Sequence, residues 1–201
     1  MSDIRYNINH NGQIVQHESA LCADQSKVIN DLFSQFGWMC EETNTEGPRR
    51  ELLLNDKNGI TKKITVFSGR IRNEHRNSYE MKIQLGNAFD PRLSPKENTI
   101  ILGIYVFEAN DSYKDAIYVG YPIDDNINYD SNPSLRGAFV NKLLIDAKNE
   151  GFVYYKERNT VGFRAEFAFY YLKHFYDIHY TEYSAPNCAV NAECECSGRG
   201  M

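Results

Sequence analysis

The chain predicts a β-rich α+β fold: a mixed or antiparallel sheet, or a partly closed barrel, of about seven strands with two or three helices. Three observations lead there. Short apolar or alternating runs of strand length are separated by turn-forming residues, as in "RELLLND", "KKITVFSG" and "TIILGIYVFE". Apolar residues at helical spacing occur in few places, chiefly "SKVINDLFSQFGW" and "LLIDAKNEG". Strands and helices do not alternate regularly, which argues against a doubly wound parallel sheet.

Each element has its own local reason. The first 20 residues are polar and weakly patterned. Val28, Ile29, Leu32, Phe33 and Phe36 then recur at helical spacing, with Ser26 placed to cap the helix and Gly37 to end it. "ETNTEGPR" reads as a loop. Asn58-Gly59 between two strand-like runs is a hairpin turn signal. "SYEMKIQL" alternates strictly, so Tyr79, Met81, Ile83 and Leu85 face inward while Glu80, Lys82 and Gln84 face outward. A loop with two prolines follows, and then "TIILGIYVFE", apolar on both faces and therefore a central strand. "DAIYVGYPI" is the next strand. Val140, Leu143, Leu144 and Ala147 mark a helix that stops at Gly151. "FVYYKERN" is a strand, and "VGFRAEFAFYYLKHFYDIHY" opens as a strand and closes as a short helix. The organisation expected is an acidic N-terminal segment with one amphipathic helix (1–44), a β-rich domain (45–180) and a cysteine-containing tail (181–201).

Composition narrows the classes. With 201 residues and 42% hydrophobic content the chain can bury a core. It has no apolar run of about 18 residues and no signal-peptide pattern at its start, so a cytoplasmic location without a membrane span is expected. Cys188, Cys194 and Cys196 crowd one end without a standard zinc spacing. Reduced thiols with a structural or incidental role are expected; a metal site shared with His174 or His179 is the alternative.

The net charge of −5 hides an asymmetry. Residues 1–48 hold two basic side chains against seven acidic ones, whereas residues 49–82 hold nine basic against four acidic. Phosphate binding depends on the local patch, not the total. Arg49, Arg50, Lys62, Lys63, Arg70, Arg72, Arg76 and Lys82 would form a strip if one sheet gathered them, with His75, Asn77 and Gln84 adding groups that can contact phosphates or base edges. Arg136, Tyr154, Lys156, Arg158 and Arg164 would form a second arm, the two arms clasping duplex DNA. No metal or other cofactor is needed for such binding.

A nuclease reading stands beside it. Glu80-x-Lys82 lies on one face of a strand, and Glu51 or Asp56 could supply a further carboxylate to hold Mg²⁺ while the lysine orients water. There is no phosphate-binding glycine loop, no dinucleotide turn and no nucleophile elbow.

"GRIRNEHRNSYEMKIQL" resembles the R-P-x-E-Y-R-I-Q strand of a domain attached to bacterial restriction endonucleases. "NTIILGIYVFEANDSYKDAIYVGYPI", "NPSLRG" and "LLIDAKNEGFVYYKERNTVGFRAEFAFYYL" follow the same order of elements, so the resemblance covers roughly residues 45–172. It implies a DNA-recognising pseudobarrel similar to the effector domains of EcoRII-like and BfiI-like restriction enzymes, reading a specific or methylated sequence. His75, Asn77, Glu80 and Lys82 depart from the residues usual in that family. No His-Asn-His or phospholipase-like nuclease module accompanies the domain. Cleavage is therefore expected from a separate nuclease chain, from a nuclease module of a longer enzyme of which this is a fragment, or from Glu80 and Lys82 themselves. A third possibility is an accessory subunit whose acidic first segment engages a protein partner.

Overall fold

Hydrophobic alternation along a few strands sets the architecture. The computed structural model describes residues 5–17, 24–73, 80–83, 85, 89–108, 111–126, 134–136 and 138–181. In chain order the elements are β1 (Arg5–Ile8), β2 (Ile14–His17), α1 (Gln25–Phe33), β3 (Met39–Glu46), β4 (Arg49–Asn55), β5 (Thr61–Asn73), β6 (Glu80–Ile83), β7 (Thr99–Tyr105), β8 (Ile117–Tyr121), β9 (Ser134–Arg136), α2 (Ala138–Glu150), β10 (Phe152–Tyr155), β11 (Thr160–Arg164) and α3 (Ala168–Tyr180). The class is α+β and strand-rich, as the sequence predicts. Seven strands form an open mixed sheet in the order β10-β11-β8-β7-β5-β4-β3. All neighbours are antiparallel except β5 and β7. A separate hairpin joins β1 to β2, and β6 and β9 extend the far end of β5.

Residues paired across a ladder share a face, so period two sorts the core into two layers. Ile64 and Val66 of β5, Leu102 of β7, Tyr118 of β8 and Phe163 of β11 face α1 and α3. Ile71 of β5, Tyr105 of β7, Val119 of β8 and Met81 of β6 face α2, which contributes Leu143, Leu144 and Ala147. Phe67, Ile83, Leu85 and Ile101 extend that second layer. Every residue of β7 is buried, as expected for a central strand covered on both sides. Gly120 of β8 is where Tyr171 of α3 crosses the sheet. A Cβ there would collide with the tyrosine ring and hydroxyl.

Three local expectations change. Asp24, not Ser26, caps α1: its carboxylate accepts from the Lys27 N–H at 3.2 Å. The helix ends at Phe33, ahead of Gly37, and Phe36 lies beyond it in a turn with φ of 55°. The stretch "ETNTEGPR" is no loop, because residues through Glu46 pair with β4 as edge strand β3. That strand runs across residues 44 and 45, and α1 packs into the same core as the sheet.

The core contains one satisfied polar cluster. His179 of α3 is buried, with Nε2 3.0 Å from the Tyr171 hydroxyl and Nδ1 3.0 Å from Asn159 Oδ1. Asn159 sits in the left-handed region, φ 46°, and its Nδ2 donates to the His179 carbonyl at 2.9 Å. That amide orientation makes Nδ1 the protonated nitrogen and Nε2 the acceptor of the tyrosine proton. Burial pushes the imidazole down to about 4, with the Asn159 interaction opposing it.

Folding therefore holds His179 neutral, whereas the unfolded chain takes up its proton near pH 6.5. This contribution to stability is complete above about pH 6.5 and is lost as pH falls toward 4, to at most about 3 kcal/mol. Urea unfolding at pH 7 and pH 4.5 should show the loss in the native chain and a smaller loss in His179→Phe. Gly120→Ala should cost about 1–3 kcal/mol in the same assay, because a close-packed core must shift to admit the methyl group.

Candidate nucleic-acid interface

Strand alternation divides the basic strip expected from the sequence. Arg50 and Lys62 stand on the α1/α3 face, whereas Arg49 and Lys63 stand on the other. Arg50 is buried. Its guanidinium donates to the Ser68 hydroxyl at 2.8 Å, the Pro48 carbonyl at 3.3 Å and the Ser26 hydroxyl at 3.3 Å, and lies 3.7 Å from Glu42. Burial works against its charge, and the Glu42 and Asp24 carboxylates support it. Lys62 is half-buried, donates to the Leu172 carbonyl at 3.2 Å, and is lowered from its ordinary range by burial. These two cations tie helices to the sheet.

On the opposite face Glu51 lies between Arg49, at 2.5 Å, and Lys63, at 3.5 Å. Partial burial raises its carboxyl, but the Arg49 and Lys63 interactions outweigh that and hold it below the usual range. Asp56 organises the β4–β5 turn, accepting from the N–H groups of Asn58 at 2.8 Å and Ile60 at 2.7 Å. Neither carboxylate meets the Glu80-x-Lys82 pair. Glu51 is opposite Thr65, whereas Lys82 is opposite Arg72. The two points are separated along β5 by roughly 23 Å at about 3.3 Å per residue, and they face opposite sides. No single Mg²⁺ can bridge them.

At the far end of β5 the backbone register gathers basic positions on one face. Arg70 and Arg72 share one face and are half-buried. Backbone register places Lys82 opposite both Arg72 and Ser134, and Glu80 opposite Arg136. The other residues of β6, Met81 and Ile83, are buried in the second layer. Four basic positions and one acidic position thus lie on one side of a three-strand extension. His75, Arg76, Asn77 and Gln84 lie outside the described residues.

Of the expected second arm, Arg136 joins β6 and the remaining residues lie elsewhere. β10 is the opposite edge of the sheet from β3. Lys156 and Arg158 are exposed in the turn between β10 and β11, and Tyr154 packs against the α1/α3 layer. Arg164 contacts Glu166 at 2.5 Å and donates to the Lys148 carbonyl of α2 at 3.3 Å. It faces α2, away from Arg70 and Arg72, and stands three strand spacings, roughly 14 Å, from β5.

Among the described residues, Cys40 is the one cysteine. Its thiol donates to Asn30 at 3.4 Å, and burial, followed by Glu42, pushes it up to about 12, so it stays protonated at neutral pH. Cys188, Cys194 and Cys196 lie outside the described residues. No described helix is long and apolar enough to cross a membrane. Comparison with known proteins finds no matching family model, no matching curated protein and no matching solved structure.

The division of the strip separates structural cations from surface ones. Arg50→Ala should lower stability by about 2–4 kcal/mol, because it strips buried hydroxyl and carboxylate groups of their partner. Lys63→Ala should change stability by less than about 1 kcal/mol, as expected for an exposed ion pair. Thermal or urea unfolding of the two variants reads the difference.

Proposed function

We propose that the chain recognises duplex DNA, reading a specific or modified sequence within a bacterial restriction-modification system in the cytoplasm. Cleavage is assigned to a separate nuclease chain or module. The observation that carries this reading is the convergence of Arg70, Arg72, Lys82 and Arg136 on one side of the β5-β6-β9 extension. Four cations spaced by strand geometry suit successive phosphates, which supply most of the affinity of such interfaces. Two of them are arginines on one strand, whose planar guanidinium groups can pair two-point with phosphate or with guanine. The assignment to a restriction system rests on the likeness of residues 69–85 and of the order of elements to the recognition domains named above. Mg²⁺ has no part in the binding step. The separation of Glu51 and Asp56 from Glu80 and Lys82 favours recognition over cutting.

The test is a gel-shift titration with methylated and unmethylated plasmid fragments, in Mg²⁺ and in EDTA, at several salt concentrations. A salt-sensitive shift without cutting is expected. Arg72→Ala should weaken binding at least about fivefold and reduce the salt slope by about 1. Lys63→Ala, on the other face, should leave it unchanged. Equal affinity of native chain and Arg72→Ala, or no shift at about 50 mM salt, rejects the reading. Mg²⁺-dependent fragments abolished by Glu80→Ala and Lys82→Ala would replace it with the nuclease reading. Absence of DNA affinity together with a stable protein complex would replace it with the accessory-subunit reading.

A further inference from the structure

A second group of chemistry-bearing residues lies away from the basic face, where the β1–β2 hairpin meets the end of β7. His10 in the hairpin turn points Nε2 at Glu108 Oε1, 3.6 Å away, and at Asp111 Oδ1, 3.9 Å away. The three donor atoms all lie within 4.8 Å of one another.

The surrounding contacts hold two of the three side chains in place. Asp111 is only 10% exposed at its side chain, and its Oδ2 accepts from the N–H groups of Phe107 at 2.8 Å and Glu108 at 2.9 Å. That leaves Oδ1 directed at the imidazole. The His10 ring stacks on Phe107 with centroids 4.8 Å apart. The His10 carbonyl accepts from Lys148 Nζ at 2.6 Å. Glu108, by contrast, is 69% exposed and can swing.

We propose that His10, Glu108 and Asp111 bind one divalent first-row transition metal ion, which clips the β1–β2 hairpin to the β7 end of the sheet. Bonds of about 2.1 Å place donor atoms roughly 3.0 Å apart in octahedral and roughly 3.4 Å apart in tetrahedral coordination. The observed separations close to those values with a small turn of Glu108 and of the partly exposed imidazole. One imidazole and two carboxylates form a borderline-to-hard donor set suited to Mn²⁺, Fe²⁺ or Zn²⁺, with remaining positions open to water. Asp115, held by the Ser112 hydroxyl and N–H, adds a further negative charge toward the same imidazole. The cation would join residues about a hundred positions apart, where Asn7 already donates to the Phe107 carbonyl at 2.8 Å and Ile8 N–H donates to the Tyr105 hydroxyl at 2.6 Å.

Mn²⁺ is the probe of choice, because soft thiolates such as those of Cys22, Cys188, Cys194 and Cys196 compete poorly for it. Titration of the full chain, followed by calorimetry and by the electron paramagnetic resonance signal of free Mn²⁺, should give one saturable site per chain. His10→Ala and Asp111→Asn should each weaken it at least about tenfold. Asp177→Asn, an exposed carboxylate on α3, should leave it unchanged. Mn²⁺ should also raise the thermal midpoint of the native chain but not of His10→Ala. Lack of saturable binding, or native affinity in the folded His10→Ala variant, overturns the proposal. Equal weakening by Asp177→Asn does so too, since it would mark diffuse attraction to acidic surface. None of these outcomes depends on DNA affinity.

Discussion

The rest of the structure depends on one strand. β5 runs for 13 residues and pairs with β4, β7 and β6. Its alternation decides which side chains face α1 and α3, which face α2, and where its polar residues go. Through Ile64, Val66, Phe67 and Ile71 it contributes to all the hydrophobic layers. Each such side chain contributes roughly 1.5–3 kcal/mol on burial, whereas an exposed ion pair such as that of Lys63 and Glu51 contributes about 1 kcal/mol or less. Packing on both faces of β5 therefore sets the register, and the charges follow.

That ordering explains why neighbouring cations have different roles. Arg50 and Arg49 are adjacent in sequence, yet one is enclosed by Ser26, Ser68 and Glu42 while the other shares a half-exposed carboxylate with Lys63. Only where β5 runs on to pair with β6 do its remaining arginines join further basic positions on one side. The candidate interface is thus a consequence of strand length. A β5 ending at Ser68 would leave Arg70 and Arg72 without the β6 and β9 register beside them.

Legibility in the sequence followed hydrophobic contrast. The Asn58-Gly59 hairpin, the buried β7 and the stop at Gly151 were readable because turn chemistry and apolar pattern agree there. β3 was not, because "MCEETNTE" is an edge strand with little burial on either side and so carries no period-two signal. β1 and β2 are too short and polar to carry such a signal, although Ile8 is fully buried and Asn7 and Ile8 bond to Phe107 and Tyr105. The His10, Glu108 and Asp111 group had no local motif to announce it, since its members come from segments about a hundred residues apart.

By itself the sequence determined the class of fold, the central strand, the β4–β5 hairpin and the concentration of positive charge between residues 49 and 82. These are local properties: composition, periodicity and turn preference are written within a few neighbouring residues. Only the tertiary structure decided which of those charges share a surface. Arg50 and Lys62 went to the helices, Arg49 and Lys63 to the opposite face, and Arg70 and Arg72 to the end where β6 pairs. A strand sends successive side chains to opposite sides, and what covers each side comes from elements far along the chain.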